Sequence, residues 1–286
     1  MKPIDLARLF LLAALWGSSY LFIRIAAPIL GVFLTMSLRV VLAAIFLVTY
    51  ATIKQQSFHF QQNWKSYLLL GLLNNVIPFI LIASSVVNLN ASISAVLNAT
   101  TPLFTAIVSA VWIKERLDRR KIVGLLLGMI GVAILVGWSP LALSLPIVVG
   151  GIFALIAAFS YGVAAVYARR VFIGNRPTDT ATGQLIGSSI LLFPFGFISA
   201  PSQIPSLKLF LTVTMLALAC TAIAYLLYFQ LIASAGATRA ATVTFLIPIF
   251  SLFFGKVLLG EPINSGLMTG LGVILLSVWL VIETKH

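Results

Sequence analysis

The chain is built from apolar runs too long for anything but a bilayer. Ten of them follow one another, at residues 7–26, 32–53, 66–87, 92–113, 121–138, 147–168, 180–199, 208–233, 240–258 and 264–282. Roughly 20 helical residues cross the hydrocarbon core of a membrane. The breaks between runs are short, at 28–31, 54–65, 88–91, 114–121, 139–146, 169–179, 200–207, 234–239 and 259–263. Backbone inside lipid must satisfy its own polar groups, so only helices and closed barrels span it. Barrel strands alternate apolar and polar residues at period two, whereas these runs are continuous and longer than a strand. The sequence therefore predicts an all-α membrane protein with ten transmembrane helices.

Composition removes the alternatives. Hydrophobic residues make up 61% and charged residues 8%, against roughly 25% charged in soluble domains. A soluble enzyme and a disordered tail are excluded. Cys220 is the single cysteine, so no intramolecular disulfide framework exists. Lys2 and Arg8 resemble the basic start of a signal peptide, but no A-x-A cleavage site follows the first run, and it reads as a retained helix. The net charge of +12 belongs to loops on one face. With the N-terminus in the cytoplasm, fourteen Lys and Arg fall inside, including Lys114, Arg116, Arg119, Arg120, Lys121, Arg169, Arg170 and Arg176. Lys208 and Lys256 fall outside, with Arg24 and Arg39 inside helices near their outer ends. Both termini are then cytoplasmic in a multi-pass protein of the plasma (inner) membrane.

The chain also matches itself. At a shift of 146 residues Phe79 lands on Tyr225, Ala91 on Ala237, Ala95 on Ala241, Pro102 on Pro248, Glu115 on Glu261 and Gly124 on Gly270. At a shift of 145, Trp16-Gly17 lands on Tyr161-Gly162 and Arg24 on Arg169. Residues 1–138 and 146–283 thus read as two five-helix repeats. Five is odd, so the second repeat enters the membrane from the opposite side. Such inverted-topology repeats serve alternating access, with the substrate site near the midplane between the halves.

At this point the sequence resembles a known family. Leu15-Trp16-Gly17-Ser18-Ser19, Leu38-Arg39, Thr101-Pro102-Leu103-Phe104-Thr105 and Lys114-Glu115-Arg116-Leu117 mark the first half, and Pro248-Ile249-Phe250 and Leu259-Gly260-Glu261-Pro262 mark the second. Their order and spacing are similar to the EamA family of the drug/metabolite transporter superfamily. The resemblance implies ten helices in two inverted repeats around a central cavity lined by helices 1, 3, 4, 6, 8 and 9. It implies transport of amino acids, metabolites, cations or drugs, often outward. On those helices the candidate substrate-binding residues are Trp16, Ser19, Tyr20, Asn75, Phe79, Asn98, Tyr161, Tyr225 and Phe245. Trp16, Ser19 and Tyr20 share one helical face by spacing alone.

Polar groups in lipid usually face the bundle interior. Pro102 donates no N–H, which frees the carbonyl of Asn98, so Asn98 offers a backbone acceptor and a side-chain amide. Pro248 does the same to Thr244. Pro102 and Pro248 are the candidate hinges. Of the adjacent pair Asn74-Asn75, Asn75 is placed on the cavity and Asn74 against a neighbouring helix. Arg24 and Arg39 either snorkel to the outer surface or hold a substrate carboxylate. The family's retention of arginine at position 39 favours a structural role there. Glu115 and Glu261, at helix ends, read as structural ion pairs or gate latches. The smaller multidrug members of the superfamily carry a glutamate in the middle of helix 1; residues 9–22 hold none, which speaks against proton/cation antiport. Gly124-x-x-x-Gly128 and Gly266-x-x-x-Gly270 allow close helix packing, between the halves or in a homodimer.

Other chemistries lack their motifs. No G-x-x-x-x-G-K-[ST] and no H-E-x-x-H occurs, so neither an ATPase, a metal centre nor a cofactor is expected. No acid/base or nucleophilic constellation points to an enzyme, and no basic stretch with interleaved aromatics points to nucleic acid. The expected partners are the lipid bilayer and a small-molecule substrate, with the protein a monomer or homodimer. The expected function is a permease exporting amino acids or related organic solutes. The rival substrate is an organic or quaternary ammonium cation held by Trp16, Tyr20, Tyr161 and Tyr225.

Overall fold

The computed structural model describes residues 2–55, 60–114, 118–137, 144–198, 206–235 and 243–282. Among these every regular element is helical. The first half contains α1 (Pro3–Leu30), α2 (Val32–Ile53), α3 (Phe60–Gly71), α4 (Ile77–Asn88), α5 (Ala91–Asn98), α6 (Thr101–Trp112) and α7 (Arg119–Gly137). The second contains α8 (Leu145–Val171), α9 (Pro177–Ile198), α10 (Leu207–Ala217), α11 (Ala224–Ala235), α12 (Val243–Leu259) and α13 (Ser265–Ile282). Seven helical stretches among the described residues are long and apolar enough to cross a membrane; α12 and α13 contribute the shorter apolar segments Leu246–Leu259 and Ser265–Leu280.

Three apolar runs that read as continuous are interrupted. A π-helical turn at Leu72–Val76 joins α3 to α4, and another at Leu218–Ile223 joins α10 to α11. The two turns begin 146 residues apart. Pro78 accounts for the first: its ring lacks an N–H and crowds the carbonyl of the preceding turn. Widening moves the ladder out, so the Ile77 N–H donates to Leu72 O. Ser160 Oγ donates to the neighbouring Leu73 O at 2.7 Å. In the second turn Thr221 Oγ1 donates to Leu216 O at 2.9 Å. The third interruption falls at Ala99 and Thr100, between α5 and α6, two residues before Pro102. Between α1 and α2 the chain reverses on Gly31 alone. Its φ of +76° lies in the left-handed region, which costs glycine little.

Helix pairs recur in matched sets. α1 packs on α12 and α8 on α6; α4 packs on α8 and α11 on α1. α2 packs on α9, and α7 on α13. Glycines set the closest approaches. A Cβ on Gly17 would lie 2.6 Å from Phe250 Cβ, and one on Gly162 would lie 2.9 Å from Thr105 N and 3.0 Å from the Phe104 carbonyl carbon. A Cβ on Gly128 would meet Leu103 and Ser277, and one on Gly131 would meet Ile274. The small-residue face of α7 therefore closes the contact with α13 inside one chain.

The apolar interior is continuous around α1, α2, α4 and the α10–α11 stretch, with Ile23, Met36, Val40, Val86 and Leu216 sealed from solvent. A second cluster joins α5, α8, α12 and α13 through Val96, Leu97, Ala154, Leu252 and Ile274. Large apolar side chains such as Phe10, Ile45, Val111, Phe193, Phe210 and Phe253 point outward. That apolar exterior suits contact with lipid rather than water. The Arg8–Asp5 ion pair, at 3.1 Å, and the bond from Ser234 Oγ to Asp5, at 2.6 Å, fasten the start of α1 to the end of α11.

Candidate functional site

A cavity of about 420 Å³ opens between the two halves. Trp16, Ser19 and Tyr20 of α1, Phe79 of α4, Asn98 of α5, Tyr161 of α8 and Tyr225 of α11 all line it, as does Pro248 of α12. One helical turn presents the first three together. The floor of aromatic rings is contiguous: Trp16 meets Tyr225 edge-on with centroids 6.3 Å apart and Tyr228 at 5.3 Å. Ser19 Oγ is turned back onto its own helix, donating to Trp16 O at 2.6 Å.

Asn98 sits where α5 ends. Its backbone carbonyl is not free as expected, because Thr101 Oγ1 donates to it at 2.7 Å. The threonine replaces the N–H that Pro102 removed. The side chain is the available group: Asn98 Oδ1 is buried with no hydrogen-bond partner. An amide oxygen in that state is costly unless something donates to it.

The asparagine pair is the reverse of the sequence expectation. Asn74 lines the cavity and its Nδ2 donates to Gln184 Oε1 at 2.8 Å. Asn75 is fully buried away from it. Its amide donates to Ser188 Oγ at 2.8 Å, and the Tyr225 hydroxyl donates to its Oδ1 at 3.0 Å. Asn75 therefore holds α9 and α11 together and aims Tyr225. Both asparagines lie within the π-helical turn, which shifts the helical face and cannot be read from a 3.6-residue period.

The charged residues separate cleanly. Arg24 does not face the cavity. Its Nη1 donates to Val86 O at 2.5 Å and Val87 O at 3.1 Å, capping the carbonyl end of α4. Arg39 does line the cavity and is 5% exposed. Its Nε donates to Thr221 Oγ1 at 2.8 Å and its guanidinium lies 3.8 Å from the Phe79 ring centroid. Glu261 is 7% exposed and its partners among the described residues are two backbone N–H groups and a hydroxyl rather than a cation. The carboxylate accepts from Ala91 N at 2.8 Å, Ser92 N at 3.1 Å and Ser92 Oγ at 2.6 Å, capping α5 from the other half. Glu115 and the side chain of Phe245 lie outside the described residues.

Sequence reasoning missed Gln184, Thr180 and Cys220, all on the cavity wall; Tyr228 joins Tyr225 there by helical spacing. For Gln184 a signal existed. The shift of 145 that carries Trp16 onto Tyr161 also carries Arg39 onto Gln184. No group of three metal-ligating side chains occurs among the described residues.

A multi-pass helical membrane protein with a polar-spotted aromatic cavity at its centre is the architecture of a carrier. The chain belongs to the EamA-like transporter family, whose sequence profile matches it twice, over residues 6–137 and 148–283. It is 28% identical over 290 residues to the Bacillus subtilis "Uncharacterized transporter YvbV", covering 98% of this chain and 93% of that protein. It is also 28% identical over 285 residues to the Escherichia coli K12 "Uncharacterized inner membrane transporter YedA", covering 97% and 90%. A crystal structure at 18% identity superposes with a TM-score of 0.71, covering 98% of this chain and 96% of that one, and shares the fold.

Proposed function

We propose that this transporter is a ten-span secondary carrier of two inverted five-helix repeats, 1–138 and 146–283, that exports amino acids or related organic solutes by alternating access. The observation that carries the reading is the cavity between the halves, lined from both by Trp16, Tyr20, Asn98, Tyr161 and Tyr225. The matched helix pairs support the repeat, as do the two π-helical turns beginning 146 residues apart. An amino acid fits the wall: its N–H donors meet Asn98 Oδ1, and its side chain lies on the rings. The cavity wall reaches Ala168 and Thr180, next to Arg169, Arg170 and Arg176. Those arginines mark the cytoplasmic face by the positive-inside rule, with both termini on the same side. The state described here is then open inward, and Glu261 latches α5 on the far side. Pro102 and Pro248 are the hinges on which α6 and α12 tilt.

The test is exchange in proteoliposomes without ATP. Vesicles preloaded with a mixture of unlabelled amino acids should take up the labelled ones faster than empty vesicles do. Trp16→Ala and Asn98→Ala should each weaken exchange while the protein stays monodisperse in detergent. No exchange of any amino acid sinks the substrate reading, and exchange unchanged in both variants sinks the site. A quaternary ammonium such as choline is the second reading, favoured by the aromatic floor and tested in the same vesicles.

A further inference from the structure

Among the described residues the cavity wall carries one formal charge, and it is positive. Arg39 uses its Nε–H on Thr221 and one π face on Phe79. A guanidinium has five N–H donors in a planar fork. No other hydrogen bond and no carboxylate engages it among the described residues. The described acids are placed elsewhere. Asp5 pairs with Arg8, Asp118 accepts from Lys121 N, Asp179 stands in the first turn of α9, and Glu261 caps α5. An almost fully buried cation without a counter-charge is expensive to keep. Lysine or arginine needed only for helix packing is normally paired or reaches the interface, as Arg24 reaches the Val86 and Val87 carbonyls. The matching position in the other half carries neutral Gln184, bonded to Asn74. The positive charge is thus confined to one side of the cavity, beside Thr221 and Phe79.

We infer that Arg39 is the anion-binding residue of this cavity, and that the substrate is recognised through a carboxylate taken by the free N–H donors of its guanidinium. This deepens the carrier reading and rests on it. The apolar part of the substrate lies on Trp16, Tyr161 and Tyr225. A ligand that offers only a positive charge meets a like charge with no acid among the described wall residues to offset it, so on this inference organic cations without a carboxylate are not substrates, against the second reading above. Phe79, already covered by Arg39, is unavailable to them as a cation–π surface.

The experiment compares four probes of similar size on the purified wild-type chain by isothermal titration, followed by exchange in proteoliposomes. They are L-leucine, 4-methylpentanoate, L-leucinamide and choline. The first two keep the carboxylate; the others lack it. Leucinamide should bind roughly 10- to 100-fold more weakly than leucine, the loss expected for hydrogen bonds to a charged group. 4-Methylpentanoate should bind although it has no amine, and choline should not bind. Arg39→Gln should abolish the preference for acid over amide, with Arg39→Lys keeping part of it. Leucinamide or choline binding as tightly as leucine overturns the inference, and so does a lack of binding by both carboxylates. The failures are separable. If leucinamide or choline binds and exchanges, and Trp16→Ala removes this, the carrier stands and the role of Arg39 falls. The wild-type comparison decides even if the Arg39 variants do not fold.

Discussion

Glu261→Ala should loosen the junction between the halves by an amount the structure allows to be worked out. The carboxylate takes three hydrogen bonds, from Ala91 N, Ser92 N and Ser92 Oγ. Ala91 and Ser92 are each 1% exposed, so water cannot replace it. Each buried donor left without an acceptor costs about 1–3 kcal/mol, and loss of an N-terminal cap costs about 0.5–2 kcal/mol. These terms overlap, because the same N–H groups are counted in both. A net loss of about 3 kcal/mol follows. For a chain of this size that corresponds to an unfolding midpoint lower by roughly 6–12 °C. Glu261→Gln keeps one acceptor oxygen but turns an NH₂ toward a donor, and should lose about half as much. Ser92→Ala removes one bond and should cost about 1 kcal/mol. In the double variant the two losses should not add, since they break a shared contact. Thermal unfolding in one detergent, followed by tryptophan fluorescence, measures all four variants against wild type. A Glu261→Ala midpoint within about a degree of wild type would refute the cap as a structural tie.

Other substitutions separate packing from binding. Gly17→Ala and Gly162→Ala each drive a methyl into the facing helix and should cost about 1–3 kcal/mol in the same melt. Asn75→Ala removes two buried hydrogen bonds, to Ser188 Oγ and from the Tyr225 hydroxyl, and should destabilise by about 1–3 kcal/mol. Asn74→Ala, on the cavity wall, should lower ligand affinity more than the melting midpoint, as titration would show. Arg24→Met uncaps the end of α4 and should cost about 1 kcal/mol while leaving the acid-over-amide preference of the cavity unchanged.

The helical membrane class was legible because 61% apolar residues in long runs leave no soluble alternative. The family was legible because its short motifs occur in order along the whole chain. The aromatic wall was legible through helical spacing, which works where the helix is regular, as in α1. It fails where the helix widens. Asn74 and Asn75 exchange roles inside a π-helical turn that no period of 3.6 residues anticipates. The capture of the Asn98 carbonyl by Thr101 was within reach, since a hydroxyl one residue before a proline is placed to do this. The side-chain hydrogen-bond partners of Arg24, Arg39 and Glu261 were not, because each is more than 60 residues distant and fixed only by tertiary packing.

Each π-helical turn amounts to one residue more than a regular helix would hold over the same rise. An added residue rotates everything beyond it by about 100°. Phe79 and Tyr225 stand a few residues past the two turns, 146 residues apart, and both rings meet the cavity. Drawing the same residues into an unbroken α-helix, with none removed, would turn everything past the junction by about 100° and swing that ring out of the wall. A change that local rules score as an improvement would therefore remove lining. The irregularity works as a setting for rotation: in each half, one residue absorbed by the widened turn keeps an aromatic ring facing the cavity.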